Sequence, residues 1–202
     1  PVTCTMVGTG MNSHTATIEN GTYRGDDVNG IGIGETTLKA YCNDTSGFSI
    51  YAIGYTNEEY GNTVLKSTTL GDTYNIITGT NTGPVGSTDT SNWSMKLTKV
   101  DNPVSGDPVT YNPENLTIST GYNTWHAVPA DYTKVAEYHA NTGSSTTDTA
   151  LGVKLETTYA AFVASNQPAD TYIGQVKYTM VHPYTEVPLQ PQPATQGCIN
   201  YF

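Results

Sequence analysis

Alternation of apolar and polar residues at every second position is the feature that most constrains how this chain can fold. In residues 151–163 (LGVKLETTYAAFV), Leu155 and Tyr159 share one face, whereas Lys154 and Glu156 share the other. A period of two is that of a β-strand with one buried face, because a helix repeats about every 3.6 residues. The same alternation recurs in residues 2–7, 36–42, 48–54, 92–100 and 172–180.

Short alternating segments separated by glycine- and proline-containing connections predict an all-β chain, because there is no regular succession of strands and helices. We expect an antiparallel β-sandwich of immunoglobulin-like or jelly-roll kind. Residues 36–42 and 48–54 flank the turn-like sequence NDTSG, so we expect them to form a β-hairpin. The fold would hold at most one short helix, near 129–140. Val135 and His139 there have helical spacing, but the same residues also alternate as in a strand, and both alternatives stay open.

The composition indicates a secreted β-protein, since it contains 35 threonines and 15 tyrosines against 3 phenylalanines. Charged residues make up 13% of the chain and the net charge is −10. The few basic residues are spread singly, whereas binding to phosphate requires clustered lysine or arginine. No apolar stretch approaches the length of about 18 residues that spans a membrane. We therefore expect an extracellular protein with no nucleic-acid partner and no membrane insertion of this segment.

Cysteine and proline positions predict how the chain is organised. Cys4 and Cys42 both fall on inward faces of predicted strands, which makes a disulfide between them the favoured pairing, with two buried thiols as the alternative. Cys198 has no assignable partner. Residues 1–182 form the predicted β-sandwich domain, and 183–197 form a proline-rich linker with Pro183, Pro188, Pro191 and Pro193. Residues 198–202 are interpreted as the start of a following module or a truncated tail.

Candidate sites are few. Asp26, Asp27 and Asn29 offer oxygen ligands to a calcium ion, but they lack the spacing of an EF-hand loop, and a solvated acidic turn is the alternative. Trp125 and Tyr122 are candidates for stacking against a sugar ring, with core packing as the alternative. The sequence carries no catalytic motif for a nucleophile, a zinc site or a phosphate-binding loop. We therefore predict that the chain is not an enzyme and needs no cofactor.

Two stretches resemble a known group of proteins. TTLKAYCNDTSGFSIYAIG (36–54) resembles an early hairpin, and SNQPADTYIGQVKYTMV (165–181) a closing strand, of secreted multi-domain cell-surface proteins of Saccharibacteria-type bacteria. The closing strand is also similar to those of WxL-type and spore-coat-U-type structural β-sandwich domains. Asp170 stands where glycine is frequent in that pattern. The resemblance implies an extracellular, non-enzymatic surface module.

These observations lead to an expected function. We expect a structural or adhesive module of a bacterial cell-surface protein, whose partners are neighbouring copies, other surface proteins, or a host-cell or glycan surface. In a sharper version the chain is a pilus-like, self-assembling filament subunit, in which residues 2–7 add to the sheet edge of a neighbouring copy. The alternative is a carbohydrate-binding module of a secreted protein that uses Trp125 and Tyr122.

Overall fold

The computed structural model describes residues 4–10, 22–24, 34–42, 47–79, 90–100, 110–111, 115–139, 151–181 and 199–201. Strands account for most of this part of the chain, and its helices are two short 3-10 turns, Thr56–Glu58 and Asp72–Tyr74. The strands are β1 (Cys4–Gly10), β2 (Thr22–Arg24), β3 (Gly34–Cys42), β4 (Phe48–Gly54), β5 (Lys66–Ser67), β6 (Ile77–Thr78), β7 (Asn92–Lys99), β8 (Thr110–Tyr111), β9 (Leu116–Ile118), β10 (Thr133–Tyr138), β11 (Leu151–Val163), β12 (Tyr172–Ile173), β13 (Val176–Val181) and β14 (Ile199–Tyr201).

Two main sheets share one core, which confirms the predicted sandwich-like all-β fold. The first sheet has the order β1-β3-β11-β7-β6, with β2 and β8 also paired to β11. The second sheet has the order β14-β13-β4-β10-β9. Most pairings are antiparallel, while β6 with β7 and β8 with β11 are parallel. A third, two-stranded sheet joins β5 to β12 outside this pair.

The core forms where the inward faces of the two sheets meet, on the residues that the alternation predicted. The first sheet contributes Leu38, Met95 and Leu155, and the second contributes Ile50 and Tyr178, all of them inaccessible to solvent. Burial of such side chains contributes about 1.5–3 kcal/mol each relative to exposure. The hydrophobic effect on these two faces therefore holds the sheets together.

The predicted hairpin of residues 36–42 with 48–54 is wrong. The first segment lies in β3 and pairs with β1 and β11, whereas the second is β4 and pairs with β10 and β13. The chain thus passes from one sheet to the other between them. Both segments direct apolar residues into the core, and alternation cannot tell a neighbour in one sheet from a partner in the facing sheet.

Of the two alternatives for residues 129–140, the structure forms the strand. β10 pairs with β4 on one side and with β9 on the other, with a β-bulge between Lys134 and Ala136. Val135 and Tyr138 are buried, and the Tyr138 ring stacks on Phe48 with ring centroids 5.1 Å apart. Sheet pairing on both sides supplies hydrogen bonds and packing that outweigh a weak helical spacing.

The last described strand, β14, is part of the second sheet. β14 pairs with β13 in antiparallel register, with Ile199 opposite Thr179 and Tyr201 opposite Lys177. Pairing of three residues does not decide between the start of a following module and a truncated tail, so the expectation for 198–202 stays a prediction. The predicted linker 183–197 lies outside the described residues. Within the described part, no helix has the length and apolar character needed to cross a membrane.

Candidate functional site

Loops at one end of the sandwich join into a hydrogen-bonded cluster, which is the candidate site. β5 pairs with β12, so that Lys66 lies opposite Ile173. Leu65 and Ile76 exchange two backbone hydrogen bonds of 2.8 and 2.9 Å. Segments 65–79 and 165–175, far apart in sequence, are therefore held side by side at the end where β4 and β11 finish.

Asp170 fastens the two segments of this cluster. Its carboxylate accepts hydrogen bonds from the hydroxyls of Ser67, Thr68 and Thr69, and from the backbone N–H groups of Thr69 and Thr171. These bonds, with that from Ser67 the strongest contribution, hold the pKa of Asp170 well below its usual range. The carboxylate stays ionised and links loop 67–69 to the turn before β12. We call this arrangement the Asp170 clamp.

A second set of polar contacts steadies the far side of the cluster. The Gln167 amide donates to the Tyr74 carbonyl (2.7 Å) and to the Tyr172 hydroxyl (2.8 Å). The Tyr172 hydroxyl in turn donates to the carbonyl of Pro168 (2.7 Å). Every one of these contacts joins segment 165–175 to itself or to segment 65–79. They add to the packing of Leu65 and Ile76, which belong to the hydrophobic core.

Four large apolar side chains project from this cluster into solvent. Leu70, Tyr74, Ile77 and Ile173 are 40%, 42%, 50% and 52% exposed, respectively. In the part of the chain that the structure describes, these are the exposed large apolar side chains. We call them the tip surface. Single exposed apolar residues are ordinary, but a group of them on one ordered cluster is typical of an interaction site.

A buried lysine anchors the neighbouring loop at the same end. Lys177 lies on the outer face of β13 and is only 1% exposed, because loop 55–62 covers it. Its ammonium group lies 5.1 Å from the ring centroid of Tyr55 and 4.5 Å from that of Tyr60, and it donates a hydrogen bond to the Tyr60 hydroxyl. These cation–π contacts replace part of the hydration that the ammonium loses on burial. The loop is also bonded to Gln175, two residues after Ile173.

The two aromatic residues predicted for sugar stacking are buried. Trp125 is 7% exposed and Tyr122 is 4% exposed. The Tyr122 ring stacks on His126 with centroids 4.0 Å apart, and the Lys96 ammonium lies 4.7 Å from the centroid of Trp125. Their segment is bonded to β7, where backbone groups of His126 and Met95 exchange two hydrogen bonds. Both rings are thus covered in the described structure, and Tyr122 belongs to the hydrophobic core.

The structure brings the two predicted disulfide cysteines into register. Cys4 in β1 lies directly opposite Cys42 in β3. Opposed residues of an antiparallel pair have Cα atoms about 4.5–5.5 Å apart, within the range that a disulfide spans. The side chains of Cys4 and Cys42 lie outside what the structure describes, so the disulfide stays a prediction.

The predicted calcium ligands Asp26, Asp27 and Asn29 lie outside the described residues. Within the described ranges, no group of three or more histidine, cysteine, aspartate or glutamate side chains is arranged to hold a metal ion.

Sequence reasoning missed the tip surface, although a signal was present. The segment TTLGDTYNI (68–76) and the pair Tyr172–Ile173 place isolated apolar residues among turn residues, without the alternation of a half-buried strand. Asp170 was noticed only as a departure from glycine. Its role depends on Ser67 and Thr69, about a hundred positions earlier, and no local pattern shows that contact.

Comparisons of this chain with protein-family models, with curated proteins and with solved structures find no match.

Proposed function

We propose that this chain is an extracellular structural and adhesive module of a bacterial cell-surface protein, and that it binds another protein through the tip surface. The observation that carries the proposal is the grouping of Leu70, Tyr74, Ile77 and Ile173 on one hydrogen-bonded loop cluster. Apolar side chains exposed together lower solubility, so they are expected where a partner covers them.

The order of the cluster supports binding in a second way. A flexible loop loses conformational entropy when it binds, and that loss reduces affinity. Here the Asp170 clamp and the contacts of Gln167 already fix both segments that carry the tip surface. The apolar side chains are thus presented in a nearly fixed arrangement, as in a preformed interface.

The filament version receives less support than a contact through the tip surface. β1 already pairs along its whole length with β3 of its own chain, from Cys4 opposite Cys42 to Gly10 opposite Thr36. Removal of β1 from its own sheet into a neighbouring copy would require these backbone hydrogen bonds to break, whereas pairing through the other edge of β1, which ends the described sheet order, would not. The proposal places the contact at the loop end because the exposed large apolar side chains of the described residues lie there.

Attachment of coated beads under flow tests the proposed function. Beads that carry the chain are passed over arrayed surface proteins, arrayed glycans and a layer of the chain itself. We expect retention on protein that falls about tenfold in the double variant Ile77→Ser/Ile173→Ser, since two partly exposed isoleucines lose their contact area. Thr117→Ser, an exposed change on β9, serves as the control and should behave as the unmodified chain.

Two results would contradict the proposal. Equal retention of the double variant and the unmodified chain would show that the tip surface does not mediate attachment. Retention confined to the glycan array would favour the carbohydrate-binding alternative. Circular dichroism of each variant verifies that the sandwich remains folded.

A further inference from the structure

We propose that the partner of the tip surface is a cationic protein surface, in which apolar side chains are surrounded by lysine or arginine. This inference rests on the proposed function and specifies the chemistry of the partner. It is carried by the distribution of charge around the four apolar residues.

The described loops at this end are strongly acidic, and they include segment 127–132, since the Gly54 N–H donates to the carbonyl of Pro129 (2.8 Å). Segments 55–76, 127–132 and 164–175 carry five carboxylates and one basic side chain, Lys66. The carboxylates belong to Glu58, Glu59, Asp72, Asp131 and Asp170. The apolar centre is thus bordered by an excess of negative charge.

Only part of this charge is compensated locally, by Lys66 and by the Lys177 ammonium that is buried beneath loop 55–62. The Lys66 ammonium lies 3.6 Å from Asp72, but the Asp72 side chain remains 80% exposed. Glu58 and Asp131 are also exposed. Exposed ion pairs of this kind contribute little and are screened by salt, so Asp72 can still attract a partner's cation.

Loop 55–62 brings Glu58 and Glu59 close to the tip surface. The Tyr55 N–H donates to the carbonyl of Gln175 (3.0 Å), and the Gln175 N–H donates to the Thr56 hydroxyl (3.3 Å). Gln175 follows Ile173 by two residues, which fixes the acidic loop beside β12. Carboxylates and exposed apolar side chains therefore lie at the same end of the sandwich.

Charge decides between the occupants of such a face. A second copy would bring the same carboxylates against themselves, and like charges across an interface are unfavourable. An anionic lipid surface or a nucleic acid would be repelled for the same reason. A cationic protein surface satisfies both the apolar centre and the acidic border. Its apolar contacts would determine affinity, and its charges would raise the association rate and make it salt-dependent.

Capped synthetic peptides provide the probe for this inference. The first alternates lysine with valine and tyrosine, the second replaces lysine by glutamate, and the third replaces valine and tyrosine by serine. Binding of each to the whole chain is measured by isothermal titration calorimetry at low and at high salt. We expect the first peptide to bind, and the other two to bind at least about tenfold more weakly.

Two double variants separate the apolar and the electrostatic contributions. Ile77→Ser/Ile173→Ser leaves the charge unchanged and should weaken the first peptide about tenfold at both salt concentrations. Glu58→Gln/Asp131→Asn leaves the apolar residues unchanged and should weaken it about threefold at low salt only. Glu156→Gln, in the middle of the first sheet, removes one charge away from this end and should change binding by less than half of the effect of the pair.

The outcomes distinguish this inference from the proposed function. Equal binding of the glutamate peptide, or an unchanged affinity of the isoleucine variant, overturns the cationic partner. Sedimentation showing dimers that the isoleucine variant abolishes would identify a second copy as the occupant and overturn it as well. In either case the proposed function survives if bead retention on protein still depends on Ile77 and Ile173, and it fails if retention does not.

Discussion

The hydrogen bond between Tyr159 and Tyr178 joins the two sheets through the core, and its removal is a direct test of how this sandwich is stabilised. Tyr159 lies on β11 of the first sheet and Tyr178 on β13 of the second, with the hydroxyl oxygens 2.7 Å apart. Thr157 also hydrogen-bonds to both hydroxyls. Tyr178→Phe removes one hydroxyl and keeps the ring, so the change in stability reports the polar contact and not the packing.

The expected loss follows from these contacts. The variant breaks the bond to Tyr159 and leaves that hydroxyl with Thr157 as a remaining partner. Deleting a buried hydrogen bond in this way costs about 1–2 kcal/mol. For a chain of this length, each kcal/mol lowers the melting temperature by about 2–4 °C. Urea unfolding followed by circular dichroism measures the free energy of unfolding for Tyr178→Phe, Tyr159→Phe and the double variant, which should show a coupling of about 1 kcal/mol.

Tyr138 provides the matched control for these substitutions. It is equally buried, but its hydroxyl has no hydrogen-bond partner in the described part of the chain. Tyr138→Phe should therefore leave the free energy of unfolding unchanged or raise it slightly, because a buried polar group without a partner is unfavourable. The reasoning is refuted if Tyr178→Phe costs no more than Tyr138→Phe, or if the effects at 159 and 178 simply add.

Alkaline pH gives a second readout of the same pair. Burial raises the pKa of Tyr159 and of Tyr178 above that of tyrosine in an unfolded chain. Stability due to these groups is therefore complete below pH about 10 and is lost as the pH rises further. Denaturation curves between pH 9 and 11 should show a smaller loss of stability for the double phenylalanine variant than for the unmodified chain.

The remaining predictions concern a turn, the clamp and the cysteines. Gly47 has φ +80° and a Cβ added there would meet a carbonyl of β10, so Gly47→Ala should lower the free energy of unfolding in urea by about 2–4 kcal/mol. Gly71 has φ +87° but open space around it, so Gly71→Ala should cost about 1 kcal/mol. Equal costs would contradict this. The lowered pKa of Asp170 makes the stabilising contribution of its carboxylate complete above pH about 4, and this contribution is lost on acidification. Asp170→Asn should therefore speed hydrogen exchange of the clamped loop amides most at neutral pH and least near pH about 2. A pH-independent difference would exclude the carboxylate as the cause. The pairing of Cys4 with Cys42 should lower the intact mass by two hydrogen masses and add about 4 kcal/mol of stability, which reduction abolishes; free thiols in the oxidised protein would rule it out.

The sequence predicts which face of each strand is buried better than it predicts which strands are neighbours. Leu155 and Tyr178 pack inward as their alternation indicates. The pairing of β3 with β11, in contrast, joins segments more than a hundred residues apart. A period of two identifies the buried face, but the partner is selected by the whole set of competing strands, so a hairpin was wrongly expected where the chain changes sheets.

The candidate site was hard to predict for a different reason. The residue type of Trp125 makes it a candidate for sugar stacking, but its segment pairs with β7 through backbone hydrogen bonds and the side chain is buried. The sequence around Ile173 is typical of a strand, and its side chain is exposed because β12 forms a two-stranded sheet with β5 outside the main core. Exposure of an individual side chain depends on tertiary contacts, which composition and spacing do not contain.

The polar anchoring of the loop cluster explains how it can be ordered and still leave apolar surface for a partner. A loop held by apolar packing would bury its aliphatic side chains in its own fold. Here the hydrogen bonds of Ser67, Asp170 and Gln167 act together with the buried Leu65 and Ile76, so Leu70 and Ile173 are not needed to hold the segments. Weakening the Asp170 clamp should then reduce binding through the tip surface without altering any contact residue, because the loop would have to be ordered when the partner binds.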